Sequence, residues 1–323
     1  MKLGSLKNER DGILVVVSRD NTRFQKVPAI ANTMQAALDE WETCEPKLKE
    51  IYNNLNADSS SGETVILENF HSPLPRAYAW MDGSAFIQHV KLVRKARNAP
   101  LPETLETDPL MYQGGSDDFL APTEDIPLVD EKHGLDFEGE VAVVTGDIPL
   151  NASIEDCAKN IRLLMSVNDV SLRGLIPAEL AKGFGFLASK PSSAFGPFAV
   201  TPDELGEAWK DGIVHLNLDV EYNGEFFGKA NGREMFFSFP RLLQHASQTR
   251  RLRAGTILGS GTISNEDTSV GSSCLAEKRM LEKINEGEFK TPFMKSGDTI
   301  KIEMLSEDGN NLFGTIEQKV VQL

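Results

Sequence analysis

The sequence predicts an α+β fold that is mainly β, with a large strand-rich domain preceded by a small N-terminal module. Short β-rich runs recur along the chain and are bounded by polar or glycine-containing turns. Segments with helical spacing are fewer, and they seldom alternate with the strands. A doubly wound parallel sheet, which needs that alternation, is therefore not expected.

Residues 1–76 are predicted to form the small N-terminal α+β module. A β-rich run at 12–20 is followed by a stretch with helical spacing at 33–55, which Pro46 is expected to break. The polar segment 56–65 is typical of a loop and indicates a boundary region.

Residues 77–323 are predicted to form one larger domain. Ser153 is the predicted N-cap of a helix over 153–169, in which Ile161, Leu164 and Met165 recur at helical spacing. A second helix is predicted over 239–255, ending at Gly255. Strands are predicted at 141–145, 215–222, 256–258, 299–305 and 312–321, the last two joined by the hairpin signal "SEDGNN".

Composition limits the classes of function. The chain has 323 residues, 40% of them hydrophobic, which supports a sizeable core, and a net charge of −15, which argues against nucleic acid as a partner. An anionic small molecule is not excluded, because the charge inside a pocket can oppose the net charge. Three scattered cysteines, no secretory signal and no membrane-length apolar run predict a cytoplasmic protein without a membrane partner.

Two carboxylates stand close together at the start of a predicted strand. Glu138 and Glu140 are two residues apart in "GLDFEGEVAVVTG", so both side chains would point to one face of the strand. Like charges on one face repel each other unless the face is solvated, paired with lysines, or occupied by a cation. An exposed strand face and a shared divalent cation both account for the pair.

Two further acidic positions bear on that choice. Asp169 follows an apolar run in "SVNDVSLRG" and precedes Arg173 by four residues, and Asp82 precedes His89 by seven residues. An Asn-Asp turn at the end of a helix explains the first equally well. A loop acid followed by a histidine on a surface helix explains the second.

The motifs taken in order resemble the fumarylacetoacetate hydrolase superfamily, closest to its fumarylacetoacetase-type branch. The resemblance runs from about residue 73 to the C-terminus and implies a β-roll catalytic domain. The matching segments are "DGSAFIQH" (82–89), "MYQGG" (111–115), "EGE" (138–140), "NDVSLR" (168–173), "ASKPSSAFGPF" (188–198) and "GSGTIS" (259–264).

The resemblance implies a role for each matching residue. The ligands of Mg²⁺ or Ca²⁺ would be Asp82, Glu138, Glu140 and Asp169. The catalytic residues would be His89 as the base that activates water, Glu277 as its partner, Lys190 and Arg173. Contacts to the substrate carboxylate would come from Tyr112 and Thr262. The superfamily is usually homodimeric.

The implied reaction is hydrolysis of a C–C bond in a β-diketo acid, such as fumarylacetoacetate at the end of tyrosine breakdown or a related acylpyruvate. Histidine suits proton removal from water, and a divalent cation suits stabilisation of an enolate. Two positions depart from the pattern: Ile176 stands where a glutamine is common, and Ser84 where the fumarylacetoacetases have tyrosine. Hydration, decarboxylation or isomerisation of a 2-oxo acid, or metal binding without catalysis, are the alternatives.

Overall fold

The computed structural model describes residues 1–96, 100–306 and 308–323 and shows the predicted fold class, with two main sheets and few helices. The first half of the chain forms β1 (Lys2–Leu6), β2 (Ile13–Val17), β3 (Arg23–Lys26), α1 (Met34–Asp39), α2 (Trp41–Ala57), β4 (Glu63–Thr64), β5 (Phe70–His71), β6 (Trp80–Gly83), α3 (Ile87–Ala96), β7 (Met111–Gly114), β8 (Ile126–Leu128), β9 (Leu135–Asp136), β10 (Gly139–Thr145) and α4 (Ile154–Lys159).

The second half completes both sheets and adds three helices. Its elements are β11 (Ile161–Asn168), β12 (Ser171–Leu172), α5 (Ile176–Leu180), β13 (Ala194–Phe195), β14 (Phe198–Val200), β15 (Trp209–Lys210), β16 (Ile213–Val214), β17 (Asn217–Tyr222), β18 (Glu225–Asn231), α6 (Phe239–Ser247), β19 (Ile257–Gly259), α7 (Leu275–Glu286), β20 (Thr299–Leu305) and β21 (Ile316–Gln322).

The larger sheet has twelve strands within the described ranges. Its main path runs β4-β3-β2-β1-β14-β11-β10-β19-β6-β7, with β5 beside β1 and β13 beside β11. The second sheet runs β18-β17-β20-β21-β8. Among the strand pairs of these two sheets, β19 with β6 and β21 with β8 are parallel and the others are antiparallel.

Strand β10 lies at the centre of the larger sheet and is buried along its whole length. Its alternate residues enter two different hydrophobic clusters. Val141 and Val143 pack toward the second sheet, whereas Ala142 and Val144 join the cluster that contains the apolar face of α2. Burial on both faces explains why this strand reads as a continuous apolar run after its acidic start.

The N-terminal residues extend the larger sheet. Strand β1 pairs with β14, with Leu3 opposite Ala199, so the strands of residues 1–76 continue the sheet that carries β10 and β11. The domain boundary that the sequence predicts at residue 76 therefore stays a prediction.

Several predicted element boundaries are wrong. The helix predicted over 153–169 ends at Lys159, and Ile161 to Asn168 form the buried strand β11, because an apolar run of that length satisfies both patterns. The helix break lies at Glu40, between α1 and α2, and α2 continues through Pro46. The helix predicted to reach Gly255 ends at Ser247.

Other predicted elements are confirmed with small shifts. Strands lie at 139–145, 217–222, 257–259 and 299–305, and Ser153 caps α4 by accepting a hydrogen bond from the Asp156 amide. The final strand begins at Ile316 rather than at residue 312. Glu307, in the predicted hairpin turn, lies outside the described residues. No helix of the described ranges has both the length and the apolar character to cross a bilayer.

Candidate active site

Three carboxylates meet at one end of neighbouring strands in the larger sheet. Asp82 comes from β6, Glu140 from β10, and Asp169 directly follows β11. Each carboxylate offers an oxygen within 4.8 Å of oxygens from the other two, and all three residues are buried. The sheet order therefore brings together acids that lie far apart in the sequence.

Gly259 makes room for this cluster. It lies on β19, between β6 and β10, directly opposite Asp82 in the strand register. A Cβ atom at Gly259 would lie 2.5 Å from Asp82 Oδ1 and 3.0 Å from Glu140 Oε2. The absence of a side chain on the central strand allows the two carboxylates to approach each other across it.

Glu140 is the carboxyl group of the cluster with the fewest compensating contacts. Neither of its carboxylate oxygens has a hydrogen-bond partner among the described residues, although both are buried. Burial and the charges of Asp82 and Asp169 raise the pKa of Glu140 well above its usual value. Burial, reinforced by Asp169, also raises the pKa of Asp82. A divalent cation is the partner that such a set of oxygens lacks.

Lys190 joins this cluster to Glu138. Its ammonium Nζ donates to Asp169 Oδ2 and to Glu138 Oε2, at 2.5 Å each. Burial disfavours the charged form, but Asp169 and Glu138 outweigh it and raise the pKa of Lys190. Asp169 also accepts hydrogen bonds from Tyr112 Oη at 2.6 Å and from Ser193 Oγ at 2.7 Å.

Glu138 has a different environment from Glu140. Arg173 Nη2 donates to its Oε1 at 2.7 Å, and Thr262 Oγ1 donates to the same oxygen at 2.8 Å. Burial opposes ionisation, but Arg173 and Lys190 hold the pKa of Glu138 well below its usual range. Both oxygens of Glu138 thus already accept hydrogen bonds. That Glu138 is a fourth metal ligand stays a prediction.

Asp136 links the carboxylates to α7. It accepts a hydrogen bond from Arg173 Nε at 2.8 Å and from the amides of Leu275 and Ala276, in the first turn of α7, at 2.8 and 2.9 Å. A carboxylate at a helix N-terminus is favourable, because the amides there lack helical partners. This contact fixes the start of the helix that carries Glu277.

His89 and Glu277 form a hydrogen-bonded pair beside the carboxylates. His89 lies on α3 and Glu277 in the first turn of α7, and the two helices pack together. The distance from His89 Nδ1 to Glu277 Oε2 is 2.9 Å. An ionised carboxylate only accepts hydrogen bonds, so with Glu277 in that form Nδ1 is the donor, and a neutral ring then has Nε2 as its acceptor.

A cavity of about 440 Å³ adjoins these groups. Most of the sequence-predicted site residues contribute to its wall: Asp82, His89, Tyr112, Glu138, Arg173, Lys190 and Thr262. The predicted residues Glu140, Asp169 and Glu277 are buried behind this wall. Apolar side chains form another part of the wall, among them Phe86, Leu110, Ile176 and Phe186.

Three residues of this neighbourhood were not identified from the sequence. Asp136 precedes Glu138 by two residues, so the same alternation that singled out the glutamates could have identified it. Gly259 lies within a quoted motif but had no assigned role. Cys274 Sγ lies within 4.8 Å of ligand atoms of His89 and Glu138, and no sequence signal indicated this contact.

The residues present fit a divalent cation that prefers oxygen. Asp82, Glu140 and Asp169 supply only carboxylate oxygens, and the unpartnered oxygens of Glu140 require a positive charge or a shared proton. Hard cations such as Mg²⁺, Ca²⁺ and Mn²⁺ prefer such donor sets.

Solved structures with the same fold include enzymes of known class. Maleylpyruvate hydrolase from Sphingobium sp. SYK-6, in complex with manganese(II) ion and pyruvate, aligns with a TM-score of 0.65 and 16% identity, covering 100% of this chain and 99% of that one. At this level of identity, the similarity shows the fold.

The chain belongs to the fumarylacetoacetate hydrolase family. The model described as fumarylacetoacetate (FAA) hydrolase C-terminal matches residues 78–321, and the model described as fumarylacetoacetase N-terminal domain 2 matches residues 1–76. The superfamily predicted from the motifs is thus confirmed.

Curated relatives differ in their named activities. A 2,4-didehydro-3-deoxy-L-rhamnonate hydrolase from Sphingomonas sp. (strain SKA58) is 28% identical over 168 residues, covering 51% of this chain and 55% of that protein. An oxaloacetate tautomerase from Bacillus subtilis (strain 168) is 28% identical over 169 residues, covering 52% and 48%. The chain thus spans about half the length of these relatives.

Proposed function

We propose that this protein is a metal-dependent hydrolase that cleaves a C–C bond in a β-diketo acid, either fumarylacetoacetate or a related acylpyruvate. The observation that carries the proposal is the His89–Glu277 pair, which lies beside the carboxylate cluster and whose histidine faces the same cavity as Asp82. A buried carboxylate that orients a histidine is the arrangement that water activation requires.

Asp82, Glu140 and Asp169 would hold the cation, with Glu138 as the further predicted ligand. We propose Mg²⁺ or Ca²⁺, and the manganese in the related maleylpyruvate hydrolase supports a divalent cation in general. When bound, such a cation polarises the oxygens of a diketone and stabilises enolate charge.

His89 is the proposed base. With its Nδ1 proton directed at Glu277, the imidazole presents Nε2 to a water molecule in the cavity and accepts its proton. The hydroxide would add to one carbonyl of the substrate. As the resulting alkoxide collapses to a carboxylic acid, the adjacent C–C bond breaks, and the leaving enolate takes up the proton held by the His89 imidazolium. The buried carboxylate of Glu277 stabilises the imidazolium that forms and keeps the ring in the productive orientation.

Lys190, Arg173, Tyr112 and Thr262 are proposed to bind and stabilise the substrate. The raised pKa of Lys190 keeps its ammonium charged, so this residue supplies a fixed positive charge near the leaving carbanion. Arg173 lines the cavity while it holds Glu138 and Asp136. Tyr112 and Thr262 line the same cavity. By the family resemblance, both match positions that contact the substrate carboxylate.

A tautomerase or isomerase acting on a 2-oxo acid is the second candidate. Two observations favour it: the Bacillus subtilis relative is named an oxaloacetate tautomerase, and Ile176 contributes an apolar wall where the family's hydrolases commonly have glutamine. Such a reaction moves a proton between carbon and oxygen and needs no added water. The metal site and His89 could serve either reaction, since both pass through an enolate.

The cavity volume bears on the size of the substrate. A cavity of about 440 Å³ with partly apolar walls has room for a substrate longer than the four carbons of oxaloacetate. This favours a larger acylpyruvate within the proposed class. A cytoplasmic location and a homodimer are further proposals, which rest on the composition and on the family resemblance.

Absorbance assays with fumarylacetoacetate, acetylpyruvate and oxaloacetate, each with and without Mg²⁺, test the proposal. The hydrolase assignment predicts metal-dependent loss of the diketone chromophore, which His89→Ala abolishes. Enol–keto interconversion of oxaloacetate, with both diketo acids left intact, would instead establish the tautomerase.

A further inference from the structure

We infer that Phe186 sets the upper limit on the length of the acyl group that the reaction cavity accepts. Its side chain closes this cavity against a second one, which has a volume of about 700 Å³. Met111, Tyr112, Gly185 and Phe186 line both cavities, so a thin wall of residues separates them. The inference rests on the proposed function, which supplies the 2-oxo acid head and the acyl group.

Tyr112 is the fixed part of this wall. Its Oη donates a hydrogen bond to Asp169 Oδ2 at 2.6 Å, and the ammonium of Lys190 lies 5.1 Å from the centre of its ring. Both contacts come from the side of the carboxylate cluster. The tyrosine is thereby tied to residues that are themselves buried and hydrogen-bonded.

Phe186 is the replaceable part of the wall. Its ring meets that of Tyr112 edge-on, with the ring centres 5.2 Å apart and the planes at 79°. The backbone before it turns at Gly183 and Gly185, whose φ values of 77° and 88° favour glycine. A Cβ atom at either glycine would meet nothing within 4 Å. The path of the loop is thus set by its glycines, and truncation of Phe186 should open the wall without displacing packed neighbours.

Glu179 fixes the end of the same loop. Its carboxylate accepts hydrogen bonds from the hydroxyl of Ser189 and from the backbone amides of Leu187, Ala188 and Ser189. The hydrogen bonds from Ser189 and from these amides lower the pKa of Glu179 to about 2, so the carboxylate stays charged near neutral pH. The chain directly after Phe186 is therefore held in place.

The chemistry of the reaction cavity orients the substrate toward this wall. The 2-oxo acid end is the charged end and belongs beside the carboxylate cluster with its cation and the ammonium of Lys190. The acyl group belongs against the apolar part of the wall, to which Phe86, Leu110, Ile176 and Phe186 contribute. An acyl chain that outgrows the cavity should meet the ring of Phe186, because the space beyond that ring is open.

Binding of N-alkyl oxamates of increasing chain length to the Mg²⁺-saturated full chain tests the inference. An oxamate has the carboxylate and adjacent carbonyl of a 2-oxo acid, and its nitrogen replaces the carbon that leads to the acyl group. Isothermal titration calorimetry measures the affinities without turnover. In the wild type, we expect affinity to fall by about tenfold or more beyond one chain length. In Phe186→Ala, this cutoff should move to longer chains.

Phe184→Ala is the matched control. It removes the same ring from the same loop, but Phe184 is 98% exposed and lines only the second cavity. Its cutoff should equal that of the wild type. Phe186→Leu, which keeps part of the side chain, should give a cutoff between those of the wild type and Phe186→Ala. In turnover assays, the kcat/KM ratio of hexanoylpyruvate to acetylpyruvate should rise about tenfold or more in Phe186→Ala.

Two outcomes would overturn the inference: equal affinity for short and long oxamates in the wild type, or the same cutoff in the wild type and Phe186→Ala. Loss of the shortest oxamate in both Phe186 variants would overturn it as well, because Phe186 would then support Tyr112 rather than limit length.

Failure of the proposed function gives a different result. If the cavity does not take a 2-oxo acid, the wild type binds no oxamate of any length, and the inference falls with that function. If only the inference is wrong, the wild type binds oxamates and replacement of Phe186 leaves the dependence on chain length unchanged.

Discussion

Glu277 follows His89 by 188 residues in the chain, yet its Oε2 lies 2.9 Å from Nδ1 of His89. The contact depends on the packing of α3 against α7 and on Asp136, which holds the first turn of α7. The histidine and its partner are therefore positioned by tertiary structure that is shared with the carboxylate cluster.

Glu277→Gln should reduce kcat by roughly 10²- to 10⁴-fold, because an amide no longer enforces the productive tautomer of His89 or stabilises its charged form. Steady-state kinetics on the most active diketo acid measure the loss, and the pH profile of kcat should change shape. Affinity for Mn²⁺ should stay the same. Glu286→Gln, an exposed change on the same helix, is the control. Wild-type turnover in Glu277→Gln would remove this residue from the mechanism.

Glu140→Gln should abolish the stabilisation that a divalent cation gives to the fold. In the metal-free protein, the substitution replaces a buried carboxylate that has no hydrogen-bond partner among the described residues, so its Tm should be unchanged or higher. Thermal unfolding with and without Mg²⁺ measures both effects. Glu317→Gln, on the exposed side of β21, should behave as wild type. A full metal-induced shift in Glu140→Gln would contradict the assignment.

The effect of metal on stability should grow with pH. Burial raises the folded-state pKa of Asp82 and Glu140, so the metal-free fold binds more protons than the unfolded chain. The stabilisation that these protons give to the metal-free fold is fully present below the unfolded-state pKa of about 4. It is lost as the pH rises through the folded-state pKa values. A cation needs the ionised carboxylates and acts in the opposite direction.

The measurement is the difference in Tm between Mg²⁺-saturated and chelator-treated protein, from about pH 5 to about pH 8. We expect the difference to widen as pH rises in the wild type and to stay flat in Glu140→Gln. A difference that stays flat in the wild type would contradict this expectation, because it would mean that the two carboxyls are already ionised in the metal-free protein.

Lys190→Met should separate metal binding from turnover. The ammonium of Lys190 occupies oxygens of Glu138 and Asp169, so its removal leaves more negative charge for a cation. Affinity for Mn²⁺ should therefore not fall, whereas kcat should drop by about 10²-fold or more through loss of a fixed charge at the developing enolate. Lys229→Met removes an exposed, ion-paired lysine and serves as the control. Weaker Mn²⁺ binding in Lys190→Met would mean that Lys190 positions the metal-binding carboxylates rather than competing with the cation for their oxygens.

Gly259→Ala should weaken cation binding and destabilise the fold. The added Cβ would lie 2.5 Å from Asp82 Oδ1 and 2.6 Å from Cη2 of the buried Trp80, so the strands must separate. Titration with Mn²⁺ and thermal unfolding measure the two effects. Gly115→Ala, where the nearest atom would be 3.9 Å away, is the matched control. Wild-type Mn²⁺ affinity in Gly259→Ala would show that the carboxylates need not meet across β19.

The sequence was sufficient to identify the family and the acidic positions, because those residues lie in short linear motifs. It could not separate a helix from a buried strand at 161–168, since an apolar run covered on both faces satisfies both patterns. It also could not show that Glu138 and Glu140 face different partners. That difference depends on where Arg173 and Lys190 place their charges, which is a property of the folded structure.

Cys274 illustrates the same limit. The distance along the chain from Glu138 gives no sign that the two residues form a β-bridge. The resemblance predicted Glu277, three residues further on, and the structure shows that Cys274 supports the start of the same helix. A residue with a capping role thus also lies beside His89 and Glu138.

Incubation with an acylpyruvate and Mg²⁺ in water enriched in ¹⁸O, followed by mass spectrometry of the products, tests the central claim most directly. Hydrolysis of the C–C bond predicts two shorter acids, one of which carries a single ¹⁸O atom in the newly formed carboxylate, and none of this in His89→Ala. An intact carbon skeleton that interconverts only between enol and keto forms would contradict the claim and establish a tautomerase.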